Sequence, residues 1–327
     1  MLLRITNMRG VNLNLFDFDY DLTWAAFFMN GSEKVYGRFG GRDASSPDAY
    51  LTLAGLKYAM RQAVEAHRRE PKPRLAKETQ PARTVEQYPA AKPLKADACI
   101  HCHEVYSFRR AELRNAGKWT LDQVWVYPVP ANIGLTLDPD QGNRVTSVKA
   151  GSAAERAGVR EGDELESLNG QSVASFADVE YALHRAPARG TIRLSWRQQS
   201  KLRTADVDLP EGWRTSDISW RASMWGLEPS ACVHGPNLSP REKKALGLTE
   251  KSLAFRQGDF VPAPAKMAGI RAGDIILGFE DKRLEMTMVQ FNAYVRLNFK
   301  PGNRITFNVM RDGKKLDVPM TLPKGEH

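Results

Sequence analysis

The chain has 327 residues, of which 42% are hydrophobic, 26% charged and 9% aromatic. These fractions lie within the globular range and exclude a collagen-like, mainly disordered or disulfide-stapled protein. At roughly 100–200 residues per domain, the length predicts two or three domains. The longest apolar run is the six residues 24–29. A membrane-spanning helix needs about 20 such residues, so no transmembrane segment is expected.

The net charge of +9 comes from 47 Lys and Arg against 38 Asp and Glu. Residues 61–120 hold 13 of the basic and 7 of the acidic residues, so this stretch carries +6. Its basic residues lie among prolines without interleaved aromatic residues, which disfavours nucleic-acid binding. A solvated linker is the preferred interpretation of this charge.

Residues 1–67 predict a small α/β unit. A buried strand over 23–29, a hairpin turn at Asn30-Gly31 and a return strand over 34–39 form a two-stranded ribbon. A helix is predicted to begin near Ser46-Pro47-Asp48 and to cover one face of this ribbon. Its packing face is predicted to carry the apolar residues at helical spacing, namely Leu53, Leu56, Met60 and Val64.

Residues 68–98 contain five prolines and lack apolar periodicity, which predicts an extended linker and a domain boundary. Residues 99–128 follow with the pattern Cys99-Ile100-His101-Cys102-His103 at the start of a short helix that ends near Gly117.

The Cys-x-x-Cys-His pattern has three interpretations. The preferred one is covalent haem c, with Cys99 and Cys102 bonded to the porphyrin and His103 as the proximal ligand of the haem iron. A reversible dithiol with a lowered thiol pKa is the second. A zinc site is the third, although no second Cys-x-x-Cys or paired histidine completes four ligands.

The rest of the chain contains an internal repeat. Residues 154–163, with the pattern A-x-x-A-G-Φ-x-x-G-D, recur 111 residues later as residues 265–274. Each copy is followed by an apolar strand, a turn, a helical stretch and a final strand pair. This arrangement resembles PDZ domains, specifically the bacterial type found in proteases of the export compartment. The resemblance covers about residues 129–210 and, in a more diverged form, 245–327.

The resemblance implies binding of an extended peptide, usually a C-terminus, which adds as a strand beside a helix. A loop of backbone N–H groups holds the terminal carboxylate. In the first copy this implies the loop Asn132-Ile133-Gly134-Leu135, where glycine permits the turn, and a helix over 176–184 as the other wall. The alternative is a groove filled by the chain's own segments. The residues expected at the ligand are Ile133, Gly134, Leu135, Thr136, Leu137, Val179 and Leu183.

The second copy departs from this pattern, because Leu246-Gly247-Leu248 is its only evident loop and polar residues interrupt the strand expected next. Packing is therefore expected there rather than peptide binding. The tryptophans of the connector 211–244 are expected to pack between domains rather than to bind a ligand. They are Trp213, Trp220 and Trp225.

Enzymatic activity is not predicted from any motif in this sequence. Neither Gly-x-Ser-Gly-Gly nor Gly-x-Ser-x-Gly occurs, and no histidine pair has the His-Glu-x-x-His spacing. Proteolysis by this chain is therefore not expected.

Residues 1–67 resemble the C-terminal half of a thioredoxin-like domain, with Leu22 at the place of that family's proline. Together with the Cys-x-x-Cys-His motif and the PDZ modules, this order resembles a family of bacterial thioredoxin-like/PDZ proteins, some of them selenoproteins. Haem attachment requires export, yet residues 1–7 contain no apolar leader core. The expected resolution is a true N-terminus upstream of Met1 and a periplasmic location.

The predicted fold class is thus α+β and multidomain, with a partial thioredoxin-like unit, a linker with the Cys-x-x-Cys-His helix, and two PDZ-like partly open β-barrels. The predicted function is an exported redox-associated adaptor that carries haem c and binds peptide C-termini and a redox partner protein. The alternative is a non-catalytic PDZ scaffold whose cysteine pair is structural or binds zinc.

Overall fold

The computed structural model describes residues 1–70, 81–95 and 97–324. Contacts divide the chain into two compact units, Met1–Ser216 and Asp217–His327. Among the described helices, none is both long and apolar enough to cross a membrane.

The first unit begins with an antiparallel hairpin and a long helix. Strands β1 (Ala25–Met29) and β2 (Val35–Gly40) pair with each other, and helix α1 (Leu53–Arg69) packs on β2. The Thr52 hydroxyl caps α1 by accepting a hydrogen bond from the Gly55 N–H. The predicted hairpin and helix are therefore present.

Helix α1 does not pack with the predicted face. Its buried residues are the small ones at i, i+4 and i+8, while Leu56 is half-buried and the other large apolar residues of the predicted face are exposed. The small residues allow a close approach, since a Cβ at Gly55 would lie 3.2 Å from the Phe39 ring. The buried residues are Gly55, Ala59 and Ala63. The exposed ones include Leu53, Met60 and Val64.

The described part of the predicted linker is not extended. Residues 81–95 form two 3₁₀ turns, Val85–Gln87 and Pro89–Ala91, which contribute Val85 and Tyr88 to a small hydrophobic core. Helix α2 (Glu104–Asn115) and the N-terminal segment complete that core. Apolar side chains among the prolines explain the difference, because they bury enough surface to order this stretch. Residues 71–80 and 96 of the predicted linker lie outside the described residues.

The first PDZ-like module follows in the same unit. A two-stranded sheet joins β3 and β4, and an open four-stranded sheet has the order β6-β5-β7-β8. The core lies between these sheets and helix α4. The strands are β3 (Leu135–Leu137), β4 (Val145–Val148), β5 (Glu164–Leu168), β6 (Gln171–Ser172), β7 (Gly190–Gln198) and β8 (Lys201–Leu209). The helices are α3 (Ala153–Arg156) and α4 (Phe176–His184).

The second unit repeats this architecture around its own core. Its open four-stranded sheet has the order β12-β11-β10-β9, and helix α7 packs on it. The strands are β9 (Phe255–Arg256), β10 (Ile275–Phe279), β11 (Arg304–Arg311) and β12 (Lys314–Thr321). The helices are α5 (Pro240–Ala245), α6 (Ala263–Ala268) and α7 (Met288–Asn298). The predicted partly open barrels are therefore open sheets.

Candidate peptide-binding site

The predicted carboxylate loop is a tight turn that leads into β3. A 3₁₀ turn, Pro130–Ile133, ends at Gly134, which adopts φ +92° and donates its N–H to the Ala131 carbonyl at 3.0 Å. A Cβ at Gly134 would overlap the Cβ and Oγ of Ser152. Both the left-handed backbone and the close approach therefore require glycine at this position.

Strand β3 is paired along one edge. The Lys149 N–H donates to the Gly134 carbonyl, and the Asp138 N–H donates to the Arg144 carbonyl, so even-numbered residues of β3 face β4. The alternation of antiparallel pairing directs the backbone groups of Leu135 and Leu137 to the other edge. Within the described residues, no strand pairs with that edge. This edge is where an added peptide strand would lie.

Most of the apolar side chains predicted to line the groove are buried in this structure. Val179 and Leu183 of α4 are 0% exposed and belong to the hydrophobic core. Leu135 and Leu137 are at most 2% exposed, whereas Thr136 faces solvent. Because the apolar side chains of the two walls pack directly into the core, they are not presented to an open groove.

The segment after β8 lies against the predicted carboxylate loop. The Asn132 side-chain amide donates to the Trp213 carbonyl at 2.8 Å and to the Thr215 carbonyl at 3.4 Å. Two backbone carbonyls of this segment thus accept hydrogen bonds from Asn132, the polar side chain of the loop. We call residues 213–216 the docking segment.

The docking segment also binds the C-terminal end of α4. The buried Trp213 donates its indole N–H to the Pro187 carbonyl at 3.0 Å. The Arg214 guanidinium donates to the carbonyl of His184, which the end of α4 leaves without an intrahelical partner, and to the carbonyl of Ala186 in the loop that follows. The docking segment therefore ties together the two walls of the predicted groove.

The N-terminal hairpin covers another side of α4. The Arg38 N–H donates to the Asp178 carboxylate at 2.8 Å, and the Ser175 hydroxyl donates to the Arg38 carbonyl at 2.6 Å. The Arg38 guanidinium lies 3.4 Å from the centre of the Tyr181 ring. Burial raises the pKa of Asp178 to about 6, although Arg38 opposes this shift. Residues of the predicted thioredoxin-like unit therefore pack on the PDZ-like module.

His184 lies at the C-terminal end of α4 and stacks on Tyr127, with ring centroids 4.1 Å apart. The Tyr127 N–H donates to His184 Nδ1 at 3.3 Å. Burial lowers the pKa of His184 to about 4, so its ring is neutral near pH 7.

The second module has an equivalent loop that differs from the predicted Leu246–Leu248. Val145 exchanges backbone hydrogen bonds with residues 162 and 163, as Gln257 does with residues 273 and 274. In each module a residue with positive φ follows an aromatic residue by seven positions. They are Gly134 after Tyr127, and Cys232, at φ +55°, after Trp225. Residues 230–233 therefore correspond to residues 132–135.

The Cys-x-x-Cys-His motif lies at the start of α2, with His103 at its N-cap. Cys99 is exposed, Cys102 is half-buried against the small core, and both are free thiols. Burial raises the pKa of Cys102, which is the opposite of an activated thiol. In the described part of the chain, no three His, Cys, Asp or Glu side chains are grouped to hold a metal ion.

Residues 144–198 and 261–322 each match the PDZ domain family. The chain contains two PDZ domains. The matched residues lie within the predicted 129–210 and 245–327, so the expectation of two modules of one kind is confirmed.

Curated relatives of the chain are periplasmic serine endoproteases. It is 26% identical over 183 residues to the pH-dependent endoprotease DegQ of Escherichia coli, covering 54% of this chain and 38% of DegQ. It is 26% identical over 144 residues to DegP of Salmonella typhimurium, covering 44% of this chain and 27% of DegP. The chain thus spans less than two fifths of the length of these relatives. A structure of the HtrA-type protease AlgW with a decapeptide is 17% identical over 41% of this chain and 55% of AlgW, with a TM-score of 0.25.

These findings overturn the redox predictions. The predicted membership of a thioredoxin-like/PDZ family that carries haem c is wrong. The chain is instead similar to HtrA-type serine proteases, which need no haem. Cys99, Cys102 and His103 are thus not supported as a haem or zinc site, and the predicted redox-adaptor function is wrong. The thioredoxin-like resemblance fails because the β1–β2 sheet packs on α4 of the first PDZ domain instead of extending into a larger described sheet.

Sequence reasoning missed the residues that close the first groove. Arg38 and Arg214 were assigned no role because nothing in their neighbouring residues indicates contact with residues 137 or 28 positions away, at the two ends of α4. Trp213 was expected to pack between domains; it belongs to the core of the first PDZ domain and is the buried member of the docking segment. The proximity of this tryptophan to the end of β8 is the one feature of the sequence that could have indicated its position.

Proposed function

We propose that this chain recognises an extended segment of a protein partner in the periplasm through its first PDZ domain. The partner's segment adds as a strand to the free edge of β3, and its terminal carboxylate lies at the loop 132–135. Among the residues that the structure describes, β3 pairs along only one edge, and this observation carries the proposal. Similarity to periplasmic endoproteases supports the location.

The proposal includes self-regulation. The docking segment bonds to Asn132 and to the end of α4, which are the positions that a terminal residue of a peptide would approach. A partner must therefore displace the docking segment or separate the walls that it ties. The observed affinity of the first domain for a partner is then lower than its intrinsic affinity.

The proposal concerns recognition and does not assign peptide-bond hydrolysis to these residues. The two matched regions are PDZ domains, and the printed sequence has neither Gly-x-Ser-Gly-Gly nor Gly-x-Ser-x-Gly. The similarity to endoproteases is consistent with a role in presenting partners to a protease. The chain would then be a part of that protease or would associate with it.

A binding experiment on the full chain tests this function. Peptides with four randomised C-terminal residues are selected on the parent chain, and one selected peptide is titrated by fluorescence anisotropy. Arg214→Ala removes the bonds to the carbonyls of His184 and Ala186 and is expected to tighten binding about 3–10-fold. Arg203→Ala, an exposed change on β8, is the matched control and should leave binding unchanged.

Three results are decisive. Tighter binding by Arg214→Ala alone supports the proposal. Equal binding by both variants shows that the docking segment does not compete with the peptide. Failure of the library to yield any peptide that binds the parent or Arg214→Ala overturns peptide recognition.

A further inference from the structure

The side of helix α1 that faces away from β2 carries both apolar and basic side chains. The buried residues Gly55, Ala59 and Ala63 mark the side that packs. Successive residues of an α-helix are rotated by about 100° around its axis, which identifies the residues opposite to them. The exposed residues within an arc of about 100° on that opposite side are called the outer face here. They are Leu53, Lys57, Met60, Arg61, Val64 and Arg68.

The apolar residues of the outer face are large and exposed. Leu53 is 65% exposed, Met60 is 47% exposed and Val64 is 46% exposed. They form one line along the helix that is about 16 Å long, at a rise of about 1.5 Å per residue. This apolar surface stays in water in the folded chain, so covering it with another apolar medium is favourable.

The outer face is positively charged. Lys57, Arg61 and Arg68 form no ion pair with any residue that the structure describes. The acidic residue of α1, Glu65, pairs instead with Arg69 at 3.1 Å. Within the described part of the chain, the outer face thus has three cations without a counter-charge. Its partner is therefore expected to be anionic.

The arrangement of the two kinds of residue suits the surface of an anionic bilayer. The basic residues follow the flank of the apolar line, offset from it by about 60° around the helix axis. On a bilayer, apolar side chains enter the boundary between headgroups and acyl chains, while long basic side chains reach the phosphates. Protein–protein interfaces, by contrast, are depleted in lysine and concentrate their apolar contacts in a compact centre. Anionic lipid is therefore the occupant that the outer face favours.

Helix α1 is ordered before any partner binds. Thr52 caps its N-terminus, and its small residues pack on β2. A helix that is already folded loses little chain entropy on binding, so a short apolar line is enough to contribute to affinity. Because its other side is fixed to β2, the helix can meet a bilayer only along its length.

We propose that the outer face of α1 binds the surface of a bilayer that contains anionic phospholipids, with the helix axis parallel to the membrane. Its apolar residues enter the boundary between headgroups and acyl chains, and its basic residues bind lipid phosphates. The first PDZ domain belongs to the same compact unit and is thereby held near the membrane. This inference goes beyond the proposed function and does not depend on peptide binding.

Co-sedimentation of the full chain with lipid vesicles tests the proposal. The parent is expected to bind phosphatidylcholine vesicles with about a third phosphatidylglycerol at least about 10-fold more tightly than phosphatidylcholine alone, and less tightly as salt is added. Two triple variants should each weaken this binding at least about 10-fold, since each basic residue near an anionic surface contributes about fivefold in affinity. The apolar variant is Leu53→Gln, Met60→Gln and Val64→Gln, and the basic variant is Lys57→Gln, Arg61→Gln and Arg68→Gln.

Two control variants separate the outer face from other sources of binding. Arg203→Gln, Lys314→Gln and Lys315→Gln remove the same charge at exposed positions of β8 and β12 and should leave vesicle binding unchanged. Leu2→Gln with Leu3→Gln removes exposed apolar residues near the N-terminus and should also retain binding. Equal weakening by the two charge variants would show that net charge alone attracts the chain and overturns the proposal. Loss of binding in the N-terminal variant, with both α1 variants unaffected, overturns it as well.

A fluorescence measurement reports on the outer face while its basic residues are intact. In a Cys99→Ser background, an environment-sensitive label on Val64→Cys should shift its emission to shorter wavelength with anionic vesicles, whereas a label on Arg203→Cys should not respond. The Cys99→Ser chain, labelled in the same way, gives the background from the remaining cysteines.

Three further results overturn the proposal. The first is unchanged emission at position 64 with vesicles that bind the chain. The second is failure of the parent to bind either kind of vesicle. The third is conversion of a dimer to a monomer by the apolar variant without any change in vesicle binding, which would assign the outer face to a second copy of the chain.

Discussion

At the scale of single residues, Gly134 is constrained by both its backbone and its surroundings. Gly134→Ala is expected to destabilise the first unit by at least about 2 kcal/mol, because it adds a clash with Ser152 to the strain of a positive φ. Gly158→Ala is the matched control, since Gly158 has φ +94° but nothing within 4 Å of its added Cβ. Gly158→Ala should lower the free energy of unfolding only through backbone strain, by about 1–2 kcal/mol. Denaturant unfolding of both variants checks the difference, and equal losses would contradict the clash.

Two titrating residues on α4 are expected to have opposite effects on stability. Asp178 has a pKa raised to about 6 by burial, so the folded state retains its proton and stability falls as pH rises from about 4 to 6. His184 has a pKa lowered to about 4 by burial, so stability falls as pH decreases from about 6.5 to 4. The two contributions largely cancel across this range.

Single variants should reveal each contribution. Relative to the parent, Asp178→Asn should lose stability on acidification from pH 6 to 4, and His184→Gln should gain it. Each difference has a limiting slope of about 1.4 kcal/mol per pH unit. Urea unfolding at several pH values measures these slopes. Parallel curves for the parent and both variants would show that neither group titrates in this range.

At the scale of elements, α1 presents small residues to β2, and three of its large apolar residues, Leu53, Met60 and Val64, are exposed. Ala59→Leu should therefore destabilise the first unit by about 1–3 kcal/mol through overpacking. Met60→Gln, one residue further and 47% exposed, should change stability by less than about 0.5 kcal/mol. Thermal unfolding compares the pair. A larger loss of stability from Met60→Gln than from Ala59→Leu would show that α1 packs with the face that periodicity predicts.

Local patterns predicted several elements correctly because their causes are local. Asn30-Gly31 marks the hairpin, and the repeated A-x-x-A-G-Φ-x-x-G-D marks both PDZ domains. The face of α1 could not be predicted in this way. Both of its faces have helical spacing, and the approach of β2 selects the one with small residues.

The loop of the second domain was missed for a related reason. The left-handed position is held by Cys232, so a search for glycine selects Gly247 instead, which lies at the end of α5. Arg296 is likewise evident in the sequence as a charged residue, but its burial, with Nη2 3.5 Å from Ser230 Oγ, involves a residue 66 positions away. Such pairings follow from the tertiary fold and have no local pattern.

At the scale of the whole molecule, the division at residue 216 predicts which fragments fold. The core of the second unit consists of residues 231–322, so a fragment 217–327 is expected to unfold cooperatively on its own. The fragment 125–216 lacks the hairpin that binds Asp178 and should unfold at lower urea concentration than 1–216. Urea titrations of the three fragments test this. Equal midpoints for 125–216 and 1–216 would show that the hairpin adds no stability.

The docking segment has a consequence for concentration. Because residues 213–216 are joined to β8 by three residues, they are present at the groove at an effective concentration that free partners rarely reach. The measured Kd of the first domain equals its intrinsic Kd divided by the fraction of molecules with the segment released. Residues of the docking segment, such as Arg214, thereby set a threshold for binding. Under the proposed function, partners below that threshold stay unbound, and the domain responds to accumulation of exposed chain ends rather than to their mere presence.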